Sequence, residues 1–299
     1  LSIIQFCSPM RTIGPSELIL NPDGSIYHIN LKPEHIAPTV IFVGDQNRVE
    51  KVAKHFDHIE FSTQKREFKT IVGHLNGKRF TVISTGIGPD NIDIVLNEID
   101  ALVNINLNTR KVKKELTSLQ IVRMGTSGSL HEDIPVDSIV LGKYGLGFDG
   151  VLHSYQNKGI FEPELENAFI HHCDYASEKS RPYIVKNSSK LEKKLLTDDI
   201  FSGITATAGG FYGPQGRVLR LALQDSELNQ KIESFSYKQL RVTNLEMETS
   251  VIYGLSKLLG HHAVSMNAII ANRANLSFSK DPYAAVENMI QYTLKKLTS

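Results

Sequence analysis

Short apolar runs that alternate with helical patterns constrain the fold of this chain more than any other feature. Runs rich in Val, Ile and Thr, several ending at glycine, predict strands at 39–44, 80–86, 120–125, 137–142, 203–209, 241–244 and 263–272. Helical spacing of apolar residues lies between several of them, at 47–56 and 247–259, and a last helix is predicted from Asp281-Pro282 toward Leu297. This alternation predicts an α/β fold: a single domain with a central mixed, largely parallel sheet flanked by helices.

The balance of charge excludes one large class of partners. The 299 residues include 33 Lys plus Arg and 32 Asp plus Glu, a formal net charge of +1. Proteins that bind phosphate backbones carry a basic excess that this chain lacks, so no nucleic acid is expected as a partner. The polar segment 104–118 is predicted to be a solvated excursion without chemistry of its own.

Hydropathy and cysteine content bear on where the protein works. No apolar stretch approaches the roughly 20 residues that span a bilayer, so no membrane is expected as a partner. The first residues lack the cationic and apolar regions of a secretory signal. Cys7 and Cys173 are the only cysteines, too few for a disulfide framework. Together these features predict a cytoplasmic protein.

Three motifs resemble other kinds of site but lack a required part. Gly145-Leu-Gly147-Phe-Asp-Gly150 fits a dinucleotide-binding pattern, yet no helical period follows, so an ordinary Gly-rich turn is predicted. The segment 125–129 has serine where a nucleophile elbow needs its final glycine. Adjacent residues of 171–174 cannot easily converge on one metal ion from a helix, which predicts an ordinary helix face.

Two arginines follow predicted strands at glycine-containing turns. Arg48 comes four residues after Gly44, and Arg123 begins a segment that contains Gly125 and Thr126. Open α/β sheets bind ligands at the carboxyl ends of their strands, and guanidinium groups bind oxyanions in bidentate geometry. Arg48, Arg123 and Thr126 are therefore predicted to form a phosphate cage, although either arginine taken alone is more typical of a surface ion pair.

Two further segments carry groups suited to a nucleoside. Phe211, Gln215 and Arg217 combine an aromatic face, an amide and a guanidinium, which could bind a planar heterocycle with carbonyl and N–H groups. The alternative for this segment is a Gly/Pro loop with incidental polar residues. The run Glu246-Met247-Glu248 could bind the vicinal hydroxyls of a sugar, or could simply place acidic residues at a helix N-terminus.

Taken together, these segments resemble the nucleoside phosphorylase-I family, most closely its uridine phosphorylase branch. The resemblance runs from about Tyr27 through the last helix and leaves 1–26 as an N-terminal extension before a domain at 27–299. The matching segments, in the order of the family, are 44–51, 65–68, 84–88, 123–128, 203–217, 244–248 and 272–273. The resemblance implies a pentosyltransferase that converts uridine and phosphate reversibly to uracil and ribose 1-phosphate.

The resemblance also implies a role for each group of residues. The phosphate-binding residues would be Gly44, Arg48, Arg123 and Thr126, with Arg66 donated by a neighbouring subunit. The ribose-binding residues would be Glu246, Met247 and Glu248, with His28 reaching across the interface, and the base-binding residues Phe211, Gln215, Arg217, Ile270 and Ala271. Arg48, Arg123, Gln215, Arg217 and Glu248 would form the catalytic set, in a homo-oligomer whose sites are shared between subunits.

Phosphate would be a co-substrate, and no cofactor is implied. Some family members bind a monovalent cation between subunits at positions that match Glu67 and Ile87, an alternative that stays open here because Asn91 stands where a small hydroxyl residue is often found. Relatives that cleave purine nucleosides typically carry an aspartate where this chain has Asn272, and an amide cannot act as a general acid. The alternatives are a purine or broad-specificity nucleoside phosphorylase and a non-catalytic nucleoside-binding protein. Preference among uridine, deoxyuridine and thymidine, and the oligomer size, stay open.

Overall fold

The computed structural model describes residues 11–157 and 159–299, and its main feature is a sheet of twelve strands. The strand order is β11-β12-β10-β8-β13-β7-β1-β4-β3-β2, with β9 beside β8 and β14 beside β13; β5 and β6 form a separate small hairpin. The bounds are β1 Thr39–Val43, β2 His58–Lys65, β3 Phe68–Leu75, β4 Lys78–Ser84, β5 Ile105–Asn106, β6 Lys111–Val112, β7 Gln120–Ser129, β8 Ile139–Gly147, β9 Tyr183–Lys186, β10 Phe201–Thr207, β11 Ser236–Tyr237, β12 Leu240–Glu246, β13 His262–Asn272 and β14 Ser277–Phe278.

Helices flank this sheet and bury their apolar faces against it. Their bounds are α1 Gln46–Ala53, α2 Pro89–Asn104, α3 Pro163–Cys173, α4 Ser189–Leu195, α5 Leu228–Ser234, α6 Thr249–Leu259 and α7 Pro282–Thr298. The last helix begins as predicted, with the side chain of Asp281 accepting a hydrogen bond from the backbone N–H of Ala284 and Pro282 at the first helical position. No helix in the described ranges combines the length and the apolar character needed to span a membrane.

The sheet is mixed, with parallel pairing concentrated in its interior. Two groups of adjacent strands are parallel. The first group has the order β4-β1-β7-β13, and the second has the order β8-β10-β12. Two antiparallel seams, β13 with β8 and β12 with β7, join the two parallel groups into a closed ring of five strands. The predicted fold class is confirmed, and the closed ring brings the end of β12 against the end of β7.

Several predictions of secondary structure need correction. Gly145 and Gly147 do not form a turn, because both lie inside β8, where a Cβ on Gly145 would meet the backbone of Ser250 and one on Gly147 the ring of Tyr183. Only Gly150 of this motif, with φ of 80°, has turn geometry, and no long helix follows it. Strands β2, β3 and β9 and helices α2, α4 and α5 were not predicted from the sequence, and only the end of α3, at 171–173, was expected to be helical.

The hydrophobic core includes residues from the segment before Tyr27, where the resemblance to the family begins. Leu18 and Ile26 are buried in the same apolar cluster as Ile29 and Leu31. The segment 104–118, predicted to be a solvated excursion, holds the small β5–β6 hairpin and is mostly exposed. Cys173 is buried at the end of α3, with exposed histidines before it, as expected for a helix face; Cys7 lies outside the described residues.

Candidate active site

A cavity of about 340 Å³ lies where the strand ends of the two parallel groups meet. Its volume is in the range of small-molecule sites. Nearly all of the phosphate, ribose and base residues predicted from the sequence line this one space, although they come from separate segments of the chain. The lining residues are Gly44, Asp45, Arg48, Ile87, Arg123, Thr126, Ser127, Gly128, Phe211, Gln215, Arg217, Leu245, Glu246, Met247, Glu248, Ile270, Ala271 and Phe278.

Arg123 and two carboxylates form the most buried part of the cavity. The Nη2 of Arg123 lies 2.5 Å from an oxygen of Glu248 and 3.0 Å from one of Glu246. Its Nη1 donates to Asn267 at 2.8 Å and to Ser265 at 3.3 Å. Because protein acceptors already occupy both terminal nitrogens, Arg123 holds the carboxylates in position as well as contributing positive charge.

Local backbone geometry makes room for this cluster. A Cβ on Gly125 would lie 2.0 Å from Nη1 of Arg123, so only glycine allows the guanidinium to fold back over the strand. Glu246 accepts hydrogen bonds from the backbone N–H groups of Glu248 and Thr249, at the start of α6, where a helix favours negative charge. Glu248 accepts a hydrogen bond from the N–H of Gly88 at 2.8 Å, which ties α6 to the start of α2.

Burial and mutual charge set the protonation of this cluster. Burial alone would lower the pKa of Arg123, but the carboxylates of Glu246 and Glu248 raise it above its ordinary value, so the guanidinium is charged. Burial raises the pKa of Glu248, Arg123 opposes this effect, and Glu246 adds to it. Glu248 therefore accepts a proton more readily than an exposed glutamate does.

Arg48 lies beside this cluster with fewer partners. It projects from the first turn of α1, which begins after Gly44 with Asp45 as its N-cap, and its Nη1 donates to the carbonyl of Met124 at 3.4 Å. Burial and the neighbouring Arg123 lower the pKa of Arg48. Two neighbouring guanidinium groups, one with an incomplete set of acceptors, favour an anion at this end of the cavity, next to the half-buried Thr126.

The opposite end of the cavity is built around the amide of Gln215. Its Oε1 accepts hydrogen bonds from Arg217 Nη1 at 2.7 Å and Arg273 Nη2 at 2.9 Å. The guanidinium of Arg217 stacks 3.7 Å from the ring centre of Phe211 and also donates to its carbonyl. Neither arginine forms an ion pair within the described residues, so this end carries excess positive charge.

This arrangement restricts one predicted residue and adds another. Two guanidiniums occupy the oxygen of Gln215, and its Nε2 is buried without a hydrogen-bond partner among the described residues. Only Nε2 of this amide is therefore left to form a new hydrogen bond, as a donor. Arg273 was not predicted as a site residue, although it belongs to the matching pair 272–273; burial and Arg217 lower its pKa to about 10, which leaves it charged at neutral pH.

The wall of the base end comes from the last long strand. Ile270 and Ala271 of β13 line the cavity as predicted, and Phe278 of β14 adds an exposed aromatic ring at the rim. The side chain of Asn272 does not line it. Its Nδ2 donates to the carbonyls of His131 and Ile134, and its Oδ1 accepts from the N–H groups of Ala274 and Asn275, so this amide stabilises the turn behind the strand.

The other predicted residues, apart from Ile87 at the rim, lie outside the cavity of a single chain. His28 is held by Glu98, with Nδ1 2.6 Å from its carboxylate, and Arg66 has φ of 55° and its guanidinium 5.9 Å from the ring centre of Tyr27. Glu67 packs beside Gly86, while Ile87 is largely exposed at the cavity rim. In the described part of the chain, no cluster of three His, Cys, Asp or Glu residues could hold a metal ion.

Comparison with known proteins places this geometry in a family. A family model described as "Phosphorylase superfamily" matches residues 38–297. The chain belongs to this superfamily. A uridine phosphorylase of Thermococcus kodakarensis is 28% identical over 86% of this chain and 81% of its own length. A purine nucleoside phosphorylase of the DeoD type from Streptococcus suis is 33% identical over 83% of this chain and 87% of its own length.

A solved structure shares the arrangement of the whole superfamily domain. A nucleoside phosphorylase of Trypanosoma brucei, whose description states that it shows uridine phosphorylase activity, superposes with a TM-score of 0.84 at 27% identity. The match covers 94% of this chain and 99% of that chain. Relatives named for uridine and for purine nucleosides are therefore both similar to this chain.

Proposed function

We propose that this chain catalyses the reversible phosphorolysis of uridine to uracil and ribose 1-phosphate. One observation carries the proposal: a single cavity joins an anion-binding end, a buried pair of carboxylates and an unpaired cationic end. Strand β7 connects these parts, because Arg123 faces Glu248 while a Cβ on Gly128 would lie 3.6 Å from Nε of Arg273. Phosphate, ribose and base then lie in that order along one strand.

Phosphate binds at the end of the cavity near β1. Arg48 has donors to spare, the turn at Gly44 offers backbone N–H groups, and Thr126 adds a hydroxyl, so these groups position phosphate below the sugar. Arg123 adds positive charge from behind and opposes the rise that burial causes in the pKa of Glu248. Arg66 of a neighbouring subunit completes this set in a homo-oligomer.

The ribose binds between the phosphate and the base. Glu248 and Glu246 accept hydrogen bonds from the sugar hydroxyls, Met247 packs against the sugar, and His28 of a neighbouring subunit contacts its outer end. The carboxylates also stabilise the positive charge that develops at C1′ as the glycosidic bond stretches. Phosphate held on the opposite face then captures C1′ without a protein nucleophile.

The base end decides the substrate class. A pyrimidine that departs from C1′ takes the bonding electrons and develops negative charge on its carbonyl oxygens. Gln215 Nε2, Arg217 and Arg273 present donors and uncompensated positive charge there, while Phe211 stacks on the ring and Ile270 and Ala271 form the apolar wall. A purine leaves best when its N7 is protonated, and the side chain of Asn272 is neither acidic nor directed into the cavity.

The proposal also covers the cofactors, the domain bounds and the cellular location of the enzyme. No cofactor takes part in these steps; a monovalent cation near Glu67 and Ile87 is part of the proposal only as a site between subunits. The extension at 1–26 precedes the catalytic domain at 27–299, and the enzyme works in the cytoplasm. None of these features is needed for the chemistry within one cavity.

A base-release assay with a panel of nucleosides tests the function. Uridine, 2′-deoxyuridine, thymidine and inosine are each incubated with the enzyme, with and without phosphate. We expect uracil and ribose 1-phosphate from uridine only when phosphate is present. Faster release of hypoxanthine from inosine would overturn the pyrimidine assignment in favour of the purine activity named for the Streptococcus relative, and release without phosphate would overturn phosphorolysis altogether.

A further inference from the structure

A second cavity, of about 390 Å³, lies at the other end of α6 from Glu248. It is formed by the segment 186–190, the end of α6 and the start of β13. Among its twelve lining residues are three lysines, two histidines and three serines, and none is Asp or Glu. The chain is almost neutral as a whole, so this local excess of positive charge is not a consequence of composition.

Nearby carboxylates offset the positive charge of this cavity only in part: Glu162 raises the pKa of Lys257, and Asp100 lies 3.2 Å from Nε2 of His261, another lining residue. Lys186, Lys190 and Lys257 form no ion pair within the described residues; the nearest aromatic contact is that of Lys186 Nζ, 5.9 Å from the ring centre of Tyr144. Burial lowers the pKa of Lys257, Glu162 opposes this effect, and Lys186 adds to it. Burial and the neighbouring Lys190 also lower the pKa of His262. Lys186 and Lys257 therefore repel each other, and an anion between them would relieve that repulsion.

Two buried polar atoms at the same cavity have no partner. Ser256 is 1% exposed and Asn187 is 7% exposed, and neither Ser256 Oγ nor Asn187 Oδ1 forms a hydrogen bond with any described residue. Such groups are usually satisfied in folded proteins because an unpaired buried polar atom is costly. Asn187 Oδ1 can only accept, so its missing partner is a donor and not a phosphate oxygen. The hydroxyl of Ser188 is also present, 3.0 Å from His262 Nδ1.

We propose that this cavity binds a small phosphate monoester that also carries hydroxyl groups, such as a pentose phosphate or a nucleoside monophosphate. The phosphate is held by Lys186, Lys190 and Lys257, and a hydroxyl of the ligand donates to Asn187 Oδ1 and bonds with Ser256 Oγ. The volume accommodates a ligand of this size. The site is separate from the cavity of the candidate active site and does not depend on the proposed function.

Equilibrium binding tests the site without any measurement of turnover. Ribose 5-phosphate and uridine 5′-monophosphate are titrated by calorimetry into the parent, the double variant Lys186→Gln/Lys190→Gln and the control Lys111→Gln/Lys114→Gln, which removes two exposed lysines elsewhere. We expect saturable binding of at least one monoester to the parent and the control, and a loss of about tenfold or more in the double variant. The relative affinities for the two monoesters show whether the cavity prefers a sugar phosphate or a nucleoside monophosphate.

Two further variants distinguish binding in this cavity from binding elsewhere on the protein. Ser256→Ala removes only an unpartnered hydroxyl, so we expect weaker monoester binding with an unchanged unfolding midpoint. Arg48→Ala alters the other cavity and should leave this binding in place. Binding that survives in Lys186→Gln/Lys190→Gln, binding that is lost equally in the Lys111→Gln/Lys114→Gln control, or the absence of saturable binding to the parent would overturn the proposal.

Discussion

Two parts of the cavity differ in their balance of positive and negative charge: the sugar end, formed by Arg123, Glu246 and Glu248, and the base end, formed around Gln215. At the sugar end, one buried guanidinium, that of Arg123, faces two buried carboxylates. At the base end, the guanidiniums of Arg217 and Arg273 converge on one amide oxygen, and no described carboxylate pairs with either. The first arrangement is satisfied within the chain itself, whereas the second has positive charge that no described carboxylate balances. In the proposed reaction, the negative charge that develops on the departing base would balance it.

This difference separates stability from catalysis. Residues of the sugar end lie on β7, β12 and the start of α6, where the sheet fixes them. At the base end, Phe211, Gln215 and Arg217 lie in the segment 211–217, most of which is exposed. The other base-end residues, Ile270, Ala271 and Arg273, lie at the end of β13 or directly after it. We therefore expect substitutions at the sugar end to lower both stability and activity, and substitutions at the base end to lower activity while the fold keeps its stability.

The largest effect is expected for Arg123→Met. It leaves Glu246 and Glu248 buried without their counter-charge, which should lower the free energy of unfolding by about 3–5 kcal/mol and kcat/KM by about 10³-fold. Urea unfolding and phosphorolysis kinetics measure the two losses. Arg48→Ala is the matched control, with a similar loss of activity and a stability change within about 1 kcal/mol.

The double variant Arg123→Met/Glu248→Gln sharpens this test. Removing the unpaired charge of Glu248 should recover part of the lost free energy of unfolding without recovering activity. If Arg123→Met unfolds at the same urea concentration as the parent, the sugar end does not depend on its charge balance, and the contrast between the two ends fails.

Arg217→Ala is expected to have the second largest effect, confined to the base. The variant loses positive charge where the leaving pyrimidine becomes negative, so kcat/KM for uridine should fall by about 10²-fold, with the KM for phosphate changed by less than about twofold. Steady-state kinetics with each substrate varied in turn measure the split. An equal loss for uridine and phosphate would contradict the assigned role.

The sequence predicted the fold class, seven of the strands and most of the residues that line the cavity, but it missed other elements for physical reasons. Strands with buried Val and Ile were found because their composition is distinctive. Strand β2 was missed because it lies at the sheet edge, where its residues are exposed or half-buried and include few apolar side chains. Helix α2 did carry a usable signal, with Ile92, Val95, Leu96 and Ile99 at helical spacing after a proline at the first turn.

Tertiary contacts account for what local patterns could not supply. Gly145 and Gly147 have the spacing of a turn, yet they are glycines because Ser250 and Tyr183 pack against β8. The Arg123 cluster depends on the antiparallel seam between β12 and β7, which joins residues more than a hundred positions apart. Arg273 clamps Gln215 across 58 residues, and spacing alone gives no sign of such a contact.

Arg273→Met should have a smaller effect than Arg217→Ala and thereby rank the two cations of the base end. Arg273 donates to both the side chain and the backbone carbonyl of Gln215, at 2.9 and 2.7 Å. Its loss frees the amide to rotate, so we expect the KM for uridine to rise by about tenfold with a smaller change in kcat. Kinetics on uridine measure this; a fall in kcat larger than that of Arg217→Ala would assign the main charge stabilisation to Arg273 instead.

The smallest effect concerns pH and belongs to the sugar end alone. Burial raises the pKa of Glu248, so this carboxylate takes up a proton at a higher pH than an exposed glutamate, whose pKa is 4.5. The protonated form accepts sugar hydroxyls less well, so uridine affinity measured without phosphate should fall by a few-fold as the pH is lowered, beginning above pH 4.5. Glu248→Gln should bind more weakly but with no such acid dependence, because its amide does not titrate. The arginines at the base end keep their charge throughout this range, so an acid dependence that persists unchanged in Glu248→Gln would contradict the role assigned to Glu248.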